Sequence, residues 1–443
     1  MRSRAAAAVL SSLALSCGGG GSPTSPSSTG GSGGTAGSSC TTLGQCTFVR
    51  DAIQGWYYWY KDAPNPDPAG FSSPEAYLEA VRYRPLDSSF SYITSKAASD
   101  AFYSDSQFIG FGLSYKATSA TELRLAQTFP GSPAAESGMD RGDTLLTIGG
   151  RSVASLLTSG EINTVFGPEQ EGVAVAFSWR DLQGREKSAT LVKRKVTIPT
   201  VSQTAVIDSG GRRVGYVHFR NFVEPSVAAL DAAFTQLRDG GVTELVLDLR
   251  YNGGGLVSVA QHLAGLVAGP PTVGQVFVQF THNDKQSNRN TAFRFESKPQ
   301  ALAVSRLVVI TTRGSASASE AVINGLRPYM DVKVVGETTF GKPVGQYGFD
   351  FCEKVLYPVA FLVTNARGEA DFFDGIPADC AAPDDVDRAL ADPREASLAE
   401  ALQVIRSGRC SGTAAAAFEV ERRRRAGAPE IPRDGWRQML NAW

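Results

Sequence analysis

Two short runs of almost uninterrupted apolar residues constrain this chain most, Leu245-Val246-Leu247-Asp248-Leu249 and Leu307–Thr311, with Val332–Val335 as a further short strand. A strand with one face in water alternates apolar and polar residues. A run that is apolar at nearly every position has to be covered on both faces, as in a parallel sheet between layers of helix. The neighbouring segments Val227–Leu237, Leu256–Val267 and Ala318–Leu326 carry helix spacing, and Val214–Phe219 reads as a further strand. From about Thr197 to Cys410 the pattern therefore predicts an α/β core of strand–helix units. At 443 residues, with 42% hydrophobic and 20% charged residues, the chain is globular and too long for one ordinary core.

Two smaller regions precede that core. Residues 40–104 predict a helical N-terminal domain, with Trp56-Tyr57-Tyr58-Trp59-Tyr60 on a helix-like pattern, a proline-punctuated stretch from Pro64 to Pro74, and a second helix over Glu75–Tyr83. Core packing is the expected role of its aromatic side chains. Residues 105–196 are β-patterned. They hold Gly110-Phe111-Gly112-Leu113, then Gly131-Ser132-Pro133-Ala134-Ala135, Gly138, Arg141-Gly142-Asp143, the strand Thr144–Ile148, and the runs Val173–Trp179 and Ala189–Val196 about a turn at Gly184. Short strands set off by glycine turns argue for a small β module. These motifs together resemble the PDZ domains found inside processing proteases. The resemblance implies that Gly110, Phe111, Gly112 and Leu113 point backbone N–H groups at a peptide's terminal carboxylate while the peptide adds as a strand.

The first residues read as an export signal. Arg2 and Arg4 precede the apolar stretch Ala5–Leu15, which is too short to span a membrane stably. Leu13-Ala14-Leu15-Ser16-Cys17 resembles the lipobox of bacterial lipoproteins, which implies a signal over residues 1–17, lipidation of Cys17 and a place in the bacterial cell envelope, periplasmic or associated with the outer membrane. Residues 18–39 are almost all Gly, Ser, Thr and Pro, a tether with nothing to bury. Export permits disulfides. Cys352–Cys380 is the expected pair because the two bracket one strand-rich stretch, with Cys40, Cys46 and Cys410 left over. No Cys-x-x-Cys or His/Cys ligand spacing occurs, so neither a zinc site nor any other metal or cofactor is expected. A formal net charge of −1 gives no general attraction to nucleic acid, and Arg422–Arg425 reads as a solvated tail.

Histidine is scarce: His218 lies in a strand pattern, His262 in a helix pattern and His282 in a polar stretch. None has a Gly-x-Ser-x-Gly elbow to serve, and His-Glu-x-x-His and a P-loop are absent. A lysine whose ammonium is disfavoured by burial is the other available base. Two segments suit such chemistry. Gly314-Ser315-Ala316-Ser317-Ala318-Ser319-Glu320 follows a buried strand, and its small residues let the backbone turn sharply into a helix whose first N–H groups are free. Gly336-Glu337-Thr338-Thr339-Phe340-Gly341-Lys342 delivers a lysine beside glycine. Taken alone, one is a helix cap and the other a surface lysine, and any of the three serines could be the nucleophile.

Together the two segments resemble those of the C-terminal processing peptidases, or tail-specific proteases. By that resemblance the middle serine, Ser317, is the nucleophile and Lys342 its base, at the family's usual separation. Gln346, four positions on, orients the lysine. A third block, Asp248-Leu249-Arg250-Tyr251-Asn252-Gly253-Gly254-Gly255, implies that a loop N–H, from Gly254 or its rival Gly253, joins that of Ala318 as an oxyanion hole. Asp248 and Arg250 read as a structural ion pair. Pro343 departs from the family, which usually has glycine there.

The implied protein is multidomain α+β: an N-terminal helical domain, a PDZ-like module (105–196), an α/β core of the crotonase/ClpP-like kind (197–410) and a tail (411–443). Its expected partners are proteins or peptides with free C-termini, and a membrane through Cys17, with no nucleic acid. A lipid-anchored peptide receptor on an inactive core is the rival reading, and a non-peptidase enzyme would need a coenzyme A site that the sequence does not display. The tail ends Trp436-Arg437-Gln438-Met439-Leu440-Asn441-Ala442-Trp443, which could rest on the chain's own surface or enter the glycine loop as a C-terminus.

Overall fold

Each apolar run is a strand in the computed structural model, which describes residues 39–304, 306–426, 440, 442 and 443. Glu244–Asp248, Arg306–Thr311 and Asp331–Gly336 lie side by side and parallel in one six-stranded sheet. The antiparallel pair Val201–Ser209 and Arg212–Phe219 extends it on one side, and the short strand Cys380–Ala381 on the other.

Alternation along the strands explains why so few polar residues are tolerated. Leu245, Leu247, Leu307, Val309, Val217 and Phe219 enter a core shared with the helices Ser226–Asp239, Val257–Ala268 and Ala318–Leu326. Val246, Val308, Ile310, Val214 and Tyr216 enter a second core under the helix Ala396–Ser407. Both faces are dry, so each buried Leu or Val contributes about 1.5–3 kcal/mol that a polar residue would forfeit.

The N-terminal region differs from expectation. Its first helix is Thr42–Trp56 and stops there: Tyr57 turns to extended backbone, and its N–H closes the last helical bond on Ile53 O. The aromatic run beyond Trp56 is therefore a series of turns, not a helix. Tyr57, Trp59 and Tyr77 pack with Val344, Phe351, Leu356 and Val359 of the core region. Strand Tyr92–Ser95 pairs with Lys354–Tyr357. The region shares its core with residues of the segment 344–359.

The β module has its own core around Phe111, Leu125, Ile148, Phe166, Phe177 and Trp179. Its antiparallel sheet runs Leu113–Ser119, Glu122–Thr128, Thr144–Ile148, Ala174–Arg180, Glu186–Val192. The predicted run Ala189–Val196 divides, and Arg194–Thr197 turns back to pair with Gln107–Gly110, closing the module where the chain enters and leaves.

The cysteine pairing is corrected. Cys40 is bonded to Cys352 and Cys380 to Cys410, while Cys46 is free and buried. Cys352 and Cys380 do not meet because they belong to different sheets. Cys352 sits in the turn after Phe349–Phe351, beside the N-terminal helix, and Cys380 lies on the edge strand of the parallel sheet. Beyond Cys410, Gly412–Arg425 is a helix, with Arg422 and Arg423 both paired to Glu419. The signal, Cys17 and residues 18–38 of the tether lie outside the described residues, as do Trp436–Met439. Among the described residues no helix is long and apolar enough to cross a membrane.

Peptide mapping without reduction should give Cys40–Cys352 and Cys380–Cys410, with Cys46 alkylated only after unfolding. Cys352→Ser should lower stability by about 2–4 kcal/mol in urea, since the bond closes a long loop; a Cys352–Cys380 peptide would contradict the structure.

Candidate active site

Where Arg306–Thr311 ends, the chain turns and the helix Ala318–Leu326 begins, with Ser317 as its N-cap. Ser317 has φ 56° and ψ −113°, a conformation that costs a non-glycine residue on the order of 1–3 kcal/mol. The three neighbouring serines separate by what their hydroxyls do. Ser315 Oγ donates to Leu249 O at 2.7 Å and Ser319 Oγ donates to Asn252 O at 3.0 Å, both fully buried. Ser317 alone of the three is partly exposed.

Those two buried hydroxyls tie the serine turn to the loop Asp248–Gly255, and Ala316 N adds a third bond to Asn252 O at 3.0 Å. Gly254 is wedged against the turn with φ 104°. A Cβ there would lie 2.9 Å from Ala316 O, 2.9 Å from Ser317 Cβ and 3.0 Å from Ala318 N. Its own N–H donates to Asn252 Oδ1 at 2.9 Å. The choice of Gly254 as a free donor is therefore corrected: its N–H is engaged by a side chain of its own loop. Among the described residues no acceptor meets the N–H of Gly253, and that of Ala318, at the first helical position, has no intrahelical partner.

The loop stands on buried charge. Asp248 and Arg250 form the expected ion pair at 2.6 Å, and Arg250 reaches Asp384 at 3.0 Å and Glu395 at 2.9 Å. From the β module, Arg141 meets Asp384 at 2.9 Å and donates to the Tyr251 hydroxyl at 2.8 Å, and Lys116 meets Asp384 at 3.2 Å. Burial opposes ionisation of Asp384, yet Lys116, Arg141 and Arg250 hold its carboxyl well below the usual range.

Lys342 is buried, and burial pushes its ammonium down from 10.5 to about 8, against the opposing pull of Asp87 and Glu320. Its Nζ donates to Gln346 Oε1 at 2.6 Å and lies 5.8 Å from the centre of the Phe90 ring. Gln346 is itself fixed, since its Nε2 donates to Phe90 O at 2.8 Å and Tyr357 O at 2.7 Å. The amide therefore presents only its oxygen to the lysine. Pro343 does not disturb this; Val344–Gln346 is a strand paired with Val359–Asn365.

Glu320 joins the two segments, a role the motif alone did not show. Oε2 accepts from Ser317 N and from Lys342 N, each at 2.8 Å, while Oε1 accepts from Gly341 N at 2.6 Å and Thr339 Oγ1 at 2.5 Å. Burial pushes this carboxyl up, and the four donors oppose the shift by stabilising the anion. Ser317-Ala318-Ser319-Glu320 has the Ser-x-x-Glu spacing of a capping box, which is the signal that would have found it.

The histidines stay out of this arrangement. His218 is fully buried, lowered by burial to about 4, and contacts Ser202 and Arg250 O. His262 meets Asp231, and His282 meets Asn290 and Tyr347.

The Gly110–Leu113 loop is apart from these groups. Gly112 N and Leu113 N both donate to Trp443 O, at 2.7 and 3.1 Å, so the loop does bind a main-chain oxygen.

Comparison with known proteins gives the frame for this geometry. Residues 213–380 match Peptidase family S41, and residues 44–92 match the Peptidase S41 N-terminal domain. A chloroplastic C-terminal processing peptidase of Tetradesmus obliquus is 28% identical over 55% of this chain and 53% of its own. The carboxy-terminal processing protease CtpB of Bacillus subtilis is 28% identical over 56% of this chain and 49% of its own. The chain spans about half the length of the curated relatives it matches. A crystal structure of a putative S41 protease from Bacteroides fragilis superposes with TM-score 0.65 and 25% identity, covering 82% of this chain and 97% of that one.

Glu320→Gln keeps the volume but turns an N–H donor toward other donors. It should lower stability by about 2–4 kcal/mol in urea titration, and an unchanged midpoint would contradict the account of Glu320. Gly254→Ala should leave a folded protein whose serine turn is displaced, read as loss of labelling by a serine-directed fluorophosphonate.

Proposed function

We propose that this chain, whose residues 213–380 match Peptidase family S41, is a serine endopeptidase that cuts proteins through a Ser317–Lys342 dyad after engaging their C-terminal region. The observation that carries the reading is the shared carboxylate. Glu320 holds the backbone of Ser317, the partly exposed one of three neighbouring serines, and the backbone of a buried lysine lowered to about 8.

Neutral Lys342 keeps one N–H on Gln346 Oε1, which leaves its lone pair free to accept the Ser317 proton. Ser317 Oγ then bonds to the peptide carbonyl carbon, and the oxygen takes up negative charge. The N–H groups of Ala318 and Gly253 are the donors available to it. Lys342 returns the proton to the leaving amine as the C–N bond breaks, and the acyl-enzyme is hydrolysed by a water that Lys342 activates in turn.

The β module serves as a PDZ-type receptor for C-termini. Its Gly110–Leu113 loop has two N–H groups on one oxygen and accepts a chain segment by strand addition, which supports that assignment. Export and anchoring through Cys17 fit a fold that contains two disulfides, since these persist in oxidising compartments. An inactive scaffold would not need a desolvated lysine, an oriented glutamine and a partly exposed serine beside a helix N-terminus.

Ser317→Ala and Lys342→Ala should each reduce cleavage of an unfolded protein by at least about 10³-fold without unfolding the chain. Lys342→Arg should be equally inactive, because a guanidinium does not deprotonate in this range. A lysine whose pKa is lowered is protonated below that value and cannot accept a proton, so kcat/KM should climb as pH rises through about 8. Full activity in Lys342→Arg, or a rate that is flat from pH 6.5 to 9.5, would contradict the dyad.

A further inference from the structure

The Gly110–Leu113 loop is already filled, and the filler is Trp443 of the same chain. Besides the two N–H groups on its oxygen, Trp443 donates its N–H to Leu113 O at 2.7 Å. That makes Trp443 and Leu113 a reciprocally bonded antiparallel pair. The indole stacks on Phe166 with ring centres 4.4 Å apart and lies nearly parallel to the Tyr115 ring at 6.0 Å. Ala442 is 1% exposed, enclosed in a cluster with Phe108, Phe129 and Val196. At Leu440, whose side chain is 1% exposed, the carbonyl accepts from Arg220 Nη2 at 3.1 Å. Arg220 is a fully buried core residue that also bonds Gln127 of the module and Tyr251 O in the glycine loop.

We propose that Ala442 and Trp443 form a resident pseudo-ligand that competes with incoming C-termini, and that they report the groove's ligand class: a small residue followed by an aromatic one whose main-chain oxygen meets the Gly110–Leu113 loop. The proposal rests on the reading of the module as a receptor for C-termini. Both halves follow from the contacts. The slot beside Phe166 and Tyr115 is flat and aromatic, so a terminal aromatic ring gains stacking that a charged or small side chain cannot, a preference of about two- to tenfold. The preceding position is enclosed and admits little beyond a methyl group. A tethered segment acts at an effective concentration on the order of millimolar, so it weakens a free peptide of micromolar affinity by about a hundredfold or more. A substrate therefore has to displace Ala442 and Trp443 before its own end is held.

The test separates binding from cleavage by using full-length Ser317→Ala. Fluorescence polarisation would follow a labelled decapeptide ending Leu-Asn-Ala-Trp with a free carboxylate, and matched peptides ending in Asp or in a C-terminal amide. Each would be titrated against this parent, against a deletion of residues 440–443 and against Trp443→Asp, with thermal melts to confirm folding. The expected result is that the Trp-ended peptide binds both altered chains at least about tenfold more tightly than the parent, and more tightly than either matched peptide binds them. Equal affinity for parent and altered chains would overturn the proposal, as would binding that ignores the last residue. If no peptide binds any folded variant, the receptor reading falls with it, while Ser317-dependent cleavage in the wild-type chain stands or falls in its own assay.

Discussion

One buried carboxylate, Glu320, makes a site out of two segments that are otherwise unrelated. Its two oxygens accept from Ser317 N, Lys342 N, Gly341 N and Thr339 Oγ1. A charged acceptor inside the protein is costly unless its lone pairs are filled, and here each oxygen has two donors. The same bonds hold Ser317 in a left-handed conformation that a serine does not adopt by preference. The turn and the lysine loop are thus fixed relative to each other by backbone, while Lys342 Nζ is held by the Gln346 side chain.

Around that clip, each remaining feature of the site is supplied by a different part of the chain. The dryness that lowers Lys342 comes in part from Phe90, and Gln346 is oriented by the carbonyls of Phe90 and Tyr357. The N-terminal region therefore belongs to the environment of Lys342. The glycine loop rests on Arg250 and Asp384, and Asp384 is also gripped by Arg141 and Lys116 of the β module. Arg220 touches both the tail and Tyr251 of the same loop. These contacts give the module and the tail physical routes to the loop that carries Gly253 and Gly254.

The local parts of this picture were legible before any coordinates. The apolar runs became the parallel strands, the helix Ala318–Leu326 falls at its expected bounds, and the Asp248–Arg250 ion pair forms as read. Other readings failed where they needed distance. The run after Trp56 looks helical by spacing, but its rings turn to pack on Val344 and Phe351. Cys352 and Cys380 bracket one strand-rich stretch, yet each is bonded elsewhere, Cys352 to Cys40 and Cys380 to Cys410. Between Ser315, Ser317 and Ser319 the residues were equivalent, and only the acceptors at Leu249 and Asn252 tell them apart.

By itself, then, the sequence determined what depends on neighbours along the chain: which stretches are buried on both faces, where a strand breaks sharply into a helix, and which serine and lysine motifs are present. The tertiary structure alone decided which of the three serines is partly exposed, that the Gly254 N–H is engaged by Asn252, what Glu320 holds, and that Trp443 lies in the Gly110–Leu113 loop. The reason is physical. Periodicity records whether a residue meets water, whereas a hydrogen-bond partner or a lowered ammonium pKa is set by atoms that folding brings from elsewhere in the chain.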